Sequence, residues 1–140
     1  MKNVYVNFNG VLANFHNIEW TRMEIESGVN IDFLTEFEEL EFKNNIDTIR
    51  KATQKYNVYI ISRVASDEVK NKMLVWIKNK IPEIPKDNVL IFVNVSRKCY
   101  ATNENDILID DNNRYVKQWN KYGGIGILIE KGENIDRYLE

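Results

Sequence analysis

Five short runs of apolar residues alternate along the chain with segments whose apolar residues recur at helical spacing, and this alternation limits the possible folds. Apolar strands separated by helices predict a parallel sheet that is covered on both faces. Because crossovers between parallel strands are right-handed, only a few strand orders remain. A doubly wound, Rossmann-like α/β sheet that reverses once has the order 3-2-1-4-5. The predicted strands are Val4–Phe8, Val58–Ile61, Val89–Val93, Ile107–Ile109 and Ile125–Ile129.

The chain length predicts one domain, because 140 residues can bury one core and are too few for two ordinary domains. We therefore expect a single domain over residues 1–140. Residues 14–42 carry apolar side chains at roughly helical spacing, interrupted by Gly28. They predict two short helices, which form either a small cap inserted over the end of strand one or a cover for one sheet face. Farther along, Ser66 is predicted to cap a helix that Pro82 and Pro85 stop, and Gly123-Gly124 are predicted to end the next one.

Charge and cysteine content exclude several classes of protein. The formal net charge is -2 without a block of like charges, so we expect no surface for duplex nucleic acid. The single cysteine, Cys99, can form neither an internal disulfide nor a structural zinc site. The chain contains no apolar run of about 18 residues and no signal-peptide core, which predicts a cytoplasmic protein without membrane contact. The oligomeric state is left open.

In the predicted strand order, strands one and four are central, and their carboxyl ends flank the crevice where such sheets bind ligands. Asn7 and Asn9 would there face Asp110 and Asp111, with Ser62 ending the neighbouring strand. Adjacent carboxylates repel each other unless a cation lies between them, and oxygen ligands suit Mg²⁺. The alternative role for these acids is to cap the next helix. The two roles are compatible, since Asp110 could bind the cation while Asp111 caps.

Three other side chains are candidates for binding an anion in the same crevice. The Ser62 hydroxyl and the N–H groups that follow it could donate to phosphate oxygens. Arg63 could reach a second anionic or polar part of a ligand, and the Lys98 ammonium could pair with a phosphoryl oxygen. The ordinary alternatives are a strand-terminal serine and a solvated lysine.

Taken together, these segments resemble the haloacid dehalogenase (HAD) phosphohydrolase superfamily. Its first motif, Asp-x-Asp-Gly followed by Thr or Val and Leu, aligns with Asn7-Phe8-Asn9-Gly10-Val11-Leu12. Its second, third and fourth motifs align with Ser62, Lys98 and the pair Asp110-Asp111. The four motifs occur in order across nearly the whole chain. The Gly-Val-Leu-Ala run, the short insertion and the size resemble the 5'(3')-deoxyribonucleotidase branch most closely.

The resemblance implies an Mg²⁺-dependent phosphatase that works through an aspartyl-phosphate. A small phosphorylated substrate is implied as its partner, in this branch a (deoxy)nucleoside monophosphate. The implied positions are Asn7 for the nucleophile, Asn9 for the acid and base, Ser62 and Lys98 for the phosphoryl oxygens, and Asn7, the Asn9 backbone carbonyl, Asp110 and Asp111 for the metal.

The chain departs from the motif, because both acids of motif one are asparagine. A neutral amide is a very weak nucleophile, cannot form an acyl phosphate and cannot shuttle a proton. Asn7 could offer Mg²⁺ only an uncharged carbonyl oxygen. We therefore expect a site that binds but does not turn over, with less repulsion of a phosphate dianion.

Two origins fit this departure. Isosteric exchange at both Asn7 and Asn9, with the other motif residues intact, favours a deliberately inactivated enzyme. The alternative is a natural non-catalytic relative that binds a phosphorylated ligand or a protein partner. A receiver-like signalling domain is a third hypothesis. It is disfavoured because receivers carry their acid pair after strand one, whereas Asp110 and Asp111 follow strand four.

Overall fold

The fold is a Rossmann-like α/β fold built on a five-stranded, all-parallel sheet with the order β3-β2-β1-β4-β5, which confirms the predicted topology. A computed structural model describes residues 1–13, 41–64, 66–95 and 103–140. The predicted helical insertion falls almost entirely, and Lys98 entirely, outside these ranges. The strands are β1 (Lys2–Asn7), β2 (Tyr56–Val64), β3 (Val89–Val93), β4 (Ile107–Asp110) and β5 (Ile125–Leu128); the α-helices are α1 (Lys43–Ala52), α2 (Asp67–Lys80) and α3 (Asn113–Lys121).

Strand β2 is longer than its apolar pattern predicts. It continues past Ile61 to Val64, because β3 pairs with it as far as Val64 and Val93. The expectation that Ser62 ends this strand is therefore wrong. Ser62 and Arg63 lie inside β2, and pairing with the neighbouring strand supplies the stability that their polar side chains do not.

The two faces of the sheet bury different groups. On one face, Val4 and Val6 of β1 join a large cluster with Ile49 of α1 and Trp76 of α2. On the other face, Trp119 of α3 packs with Ile61 and Leu108, and Tyr5 stacks on Tyr59 at 4.6 Å between ring centroids. Helices therefore pack on both faces, as the single reversal of winding between β3 and β4 requires.

Local signals for helix ends are confirmed at three places. The Ser66 hydroxyl accepts a hydrogen bond from the Val69 N–H at 3.3 Å and caps α2. Helix α2 then ends at Lys80, before Pro82. After α3, Gly123 has a φ of +90°, the left-handed conformation that glycine adopts without strain.

A chain of side-chain amides crosses the sheet near the amino ends of its strands. Asn88 donates to Asn57 at 2.9 Å, Asn57 donates to Asn3 at 3.0 Å, and Asn3 donates to the buried Asp106 carboxylate at 3.1 Å. These residues lie in, or directly before, β3, β2, β1 and β4. This amide ladder ties the four strands in one register at the end opposite the predicted crevice.

In the part of the chain that the structure describes, no helix has the length and apolar character needed to cross a membrane.

Candidate functional site

The carboxyl ends of β1, β2 and β4 bring the polar side chains of the predicted crevice onto adjacent strands. Val6 pairs with Ile109, so the next residues along, Asn7 and Asp110, lie at the same level of the sheet. Asn7 pairs with Ile61, the residue before Ser62. Asn7 is 7%, Ser62 4% and Asp110 0% exposed. Polar groups buried to this degree need hydrogen-bond partners or a ligand.

The loop after β1 is a tight turn, Phe8–Ala13. The N–H groups of Leu12 and Ala13 donate to the Phe8 carbonyl at 3.1 and 3.3 Å, and the Gly10 N–H donates to the Ala13 carbonyl at 2.8 Å. Gly10 has a φ of +88°, and a Cβ at this position would lie 2.2 Å from Asp111 Oδ2. Only glycine allows this close approach of the loop backbone to the Asp111 carboxylate.

Three successive carbonyls of this loop accept hydrogen bonds from outside it. The Gly10 carbonyl accepts from the Gly132 N–H at 2.8 Å, and the Leu12 carbonyl from the Phe42 N–H at 2.9 Å. Between them, the Val11 carbonyl accepts from the buried Asn45 amide at 2.9 Å. The segment after β5, residues 129–140, is called the tail below. The tail, Phe42 and α1 therefore hold the loop in one conformation.

The tail that braces the loop is itself held by Glu133. Its carboxylate accepts hydrogen bonds from the Glu130 N–H at 3.1 Å, the Tyr138 hydroxyl at 3.0 Å and the Arg137 guanidinium at 3.1 Å. These donors, the Glu130 N–H foremost, hold the pKa of Glu133 below its usual value. The charged form of Glu133 thus stabilises the tail that contacts the loop.

Asn7 contacts both the loop and the acid pair through its amide nitrogen. Asn7 Nδ2 donates to the Asn9 backbone carbonyl, and it lies 3.5 Å from Asp111 Oδ1. The structure therefore brings Asn7, Asn9 and Asp111 together across 104 residues of sequence. Asn7 presents N–H bonds to the position where a metal-binding residue would present oxygen.

The two acids of the pair have different surroundings. Asp110 is fully buried, and its Oδ1 accepts from the Asn112 N–H at 3.0 Å. The alternative in which Asp111 caps the next helix is contradicted by the structure. Asn112 caps α3, accepting from the Arg114 and Tyr115 N–H groups at 3.0 and 3.3 Å. Asp111 instead faces Asn7 and Gly10.

Of the three side chains predicted to bind an anion, the structure describes Ser62 and Arg63. Ser62 is buried inside β2, and its hydroxyl is the group that could donate to a ligand from this strand. Arg63 is exposed beside it. Lys98 belongs to residues 96–102, outside the description, and its role stays a prediction.

The oxygen set that Mg²⁺ would need does not fit the side chain present at position 7. Among the described residues, no group of three or more histidine, cysteine or acidic side chains could hold a metal ion. Two of the implied metal ligands, the Asn9 carbonyl and Asp111, lie against the Asn7 amide nitrogen instead. A cation at that point would meet N–H dipoles of the wrong sign.

Comparison with known proteins adds no family to this picture. No protein-family model matches the chain, and the search of curated proteins found no match. The proposal below is therefore based on the motif residues and on their placement in the fold.

Proposed function

We propose that the chain is an HAD-type phosphohydrolase scaffold with a phosphoryl-binding crevice and a disabled nucleophile. The contact between Asn7 and Asp111 carries this proposal, because it joins the first and fourth motif positions at the carboxyl ends of the two central strands. Gly10 supports it by the close approach of its backbone to Asp111. The substrate class that we propose is a (deoxy)nucleoside monophosphate. The compartment that we propose is the cytoplasm.

The residues present support binding rather than turnover. Ser62 offers a hydroxyl proton to a phosphoryl oxygen, and Asn7 and Asn9 add no negative charge that would repel the dianion. No anionic oxygen stands at position 7 to attack phosphorus, and no carboxyl at position 9 protonates the leaving oxygen. The phosphoester bond is therefore expected to stay intact in the bound ligand.

Reversion of both asparagines tests the scaffold directly. The Asn7→Asp/Asn9→Asp double variant is expected to hydrolyse an aryl phosphate or deoxynucleoside monophosphates in the presence of Mg²⁺, whereas the chain as it stands does not. Asn7→Asp/Asn9→Asp/Ser62→Ala is the matched control and should have a raised KM. A correctly folded double variant that remains inert towards all these substrates contradicts the proposal.

A second candidate is a non-catalytic protein that uses the same crevice to sense a phosphorylated ligand or to bind a protein partner. The hydrogen bonds of Asn7 to its neighbours favour it, since they organise the site without any catalytic group. Phosphate or a nucleotide, with Mg²⁺ present, should then raise the melting temperature of the unmodified chain. Ligand at about 100 times its Kd adds about 2.7 kcal/mol by mass action. No shift at millimolar ligand counts against a phosphoryl-binding crevice.

A further inference from the structure

The amide nitrogen of Asn7 lies between two groups that can only accept hydrogen bonds. One is the Asn9 backbone carbonyl, and the other is the Asp111 carboxylate. A flipped amide would place its oxygen against both acceptors, so the surroundings fix the orientation of the side chain. The two N–H bonds of the amide match the two acceptors in number.

Converging carbonyl and carboxylate oxygens are the usual ligands of a hard divalent cation. At this sheet end, the partial positive charge of the Asn7 amide points at such oxygens. We propose that the Asn7 amide replaces a divalent cation as the group that holds the Phe8–Ala13 loop and Asp111 together. The unmodified chain then keeps the loop and Asp111 in contact without a metal ion. This inference goes beyond the proposed function, because it holds whether or not a phosphoryl group binds.

In this proposal the side chain at position 7 positions the loop and Asp111, and replacing its amide nitrogen with an oxygen removes that effect. The Asn7→Asp variant replaces N–H bonds with a carboxylate oxygen facing the Asn9 carbonyl and Asp111. The variant then has three carboxylates at this end of the sheet, at positions 7, 110 and 111, where the unmodified chain has two. Their repulsion is relieved by a cation, so the variant acquires a metal requirement that the parent lacks.

Thermal denaturation in EDTA and in millimolar MgCl₂ tests this proposal, with KCl at matched ionic strength as the control for screening. The unmodified chain, the parent, should melt at the same temperature in EDTA and in MgCl₂. Asn7→Asp should melt at a lower temperature than the parent in EDTA and recover in MgCl₂. A parent that gains as much from MgCl₂ as the variant, or a variant that is as stable as the parent in EDTA, overturns the proposal.

The exchange variant Asn7→Asp/Asp111→Asn is the sharper control, because it swaps donor and acceptor across the same contact. It should recover part of the lost stability in EDTA and respond less to MgCl₂ than Asn7→Asp does. A magnesium response equal to that of the single variant contradicts the assigned contact.

A measurement on the unmodified chain covers the case in which Asn7→Asp does not fold. The side-chain NH₂ signals of Asn7 in a ¹⁵N NMR spectrum should stay in place during a titration with MgCl₂ alone. Movement of these signals with saturation would mean that the metal displaces the amide, and it would refute the proposal. Neither readout uses catalysis. An inert double reversion combined with a magnesium-dependent Asn7→Asp variant would therefore reject the proposed function and keep this inference.

Discussion

Asn45 is the residue whose replacement should most clearly weaken the contacts of the Phe8–Ala13 loop with α1 and the tail. It lies in α1, is 1% exposed, and its amide donates to the carbonyls of Val11 and Glu133 at 2.9 Å each. Its side-chain oxygen accepts from the Ile135 N–H at 3.1 Å. One side chain thus ties a helix, the loop after β1 and the tail together.

The Asn45→Asp variant keeps the shape and the acceptor but loses both donors. Two carbonyls then face a carboxylate oxygen without a hydrogen bond. Each unsatisfied group costs about 1–3 kcal/mol, so the two carbonyls together should lower the free energy of unfolding by about 2–6 kcal/mol. This is a large share of the total, which is about 5–15 kcal/mol for a domain. Burial between two carbonyls raises the pKa of the introduced carboxyl, so the loss should shrink as the pH falls and the protonated form donates again.

Urea denaturation followed by tryptophan fluorescence measures this loss, since Trp76 and Trp119 are buried. With an m-value of about 2 kcal/mol/M, the midpoint should fall by about 2 M. The matched control is Asn71→Asp, the same chemical change at an exposed position of α2, with an expected effect of about 0.5 kcal/mol. A loss below about 1 kcal/mol in Asn45→Asp, or one equal to that of the control, would refute the reasoning.

Three further substitutions test other contacts. Gly10→Ala should cost about 1–2 kcal/mol in urea denaturation, because of its φ of +88° and the approach of Asp111; an unchanged midpoint contradicts this geometry. Asn57→Ala should lower stability by about 1–2 kcal/mol by interrupting the amide ladder, and a neutral effect would remove its assigned role. The pKa of Glu133 is lowered in the folded state, so its charge contributes stability above the ordinary glutamate pKa of about 4.3, and this is lost as the pH falls through the lower folded value. Melting curves of Glu133→Gln should therefore depend less on pH in that acidic range than those of the parent.

The strand positions were predictable, because each strand is a short apolar run bounded by polar or turn-forming residues. For β3 the predicted bounds, Val89–Val93, agree with the structure. For β2 they fall short, since Asn57 and Ser62 interrupt the apolar pattern at the two ends. Pairing with neighbouring strands extends β2 past these residues, and a single strand's pattern carries no information about its neighbours.

The capping residue of α3 was harder to predict than the helix itself. Asp110-Asp111-Asn112-Asn113 offers four consecutive residues that all cap helices well. The choice depends on where β4 ends, which its pairing with β5 sets at Asp110 and Leu128. Asn112 then falls at the cap, and Asp111 is left to face the loop.

The chemistry at position 7 depends on a choice that motif spacing does not determine. An asparagine there can present an oxygen to a cation or N–H bonds to acceptors, and both choices fit the same backbone. The fold settles it by placing the Asn9 carbonyl and Asp111 on the side of the amide nitrogen. A carboxylate at position 7 has no such choice and can only add to the negative charge. We therefore expect the identity of this one side chain to decide whether a metal or an amide holds the polar groups together.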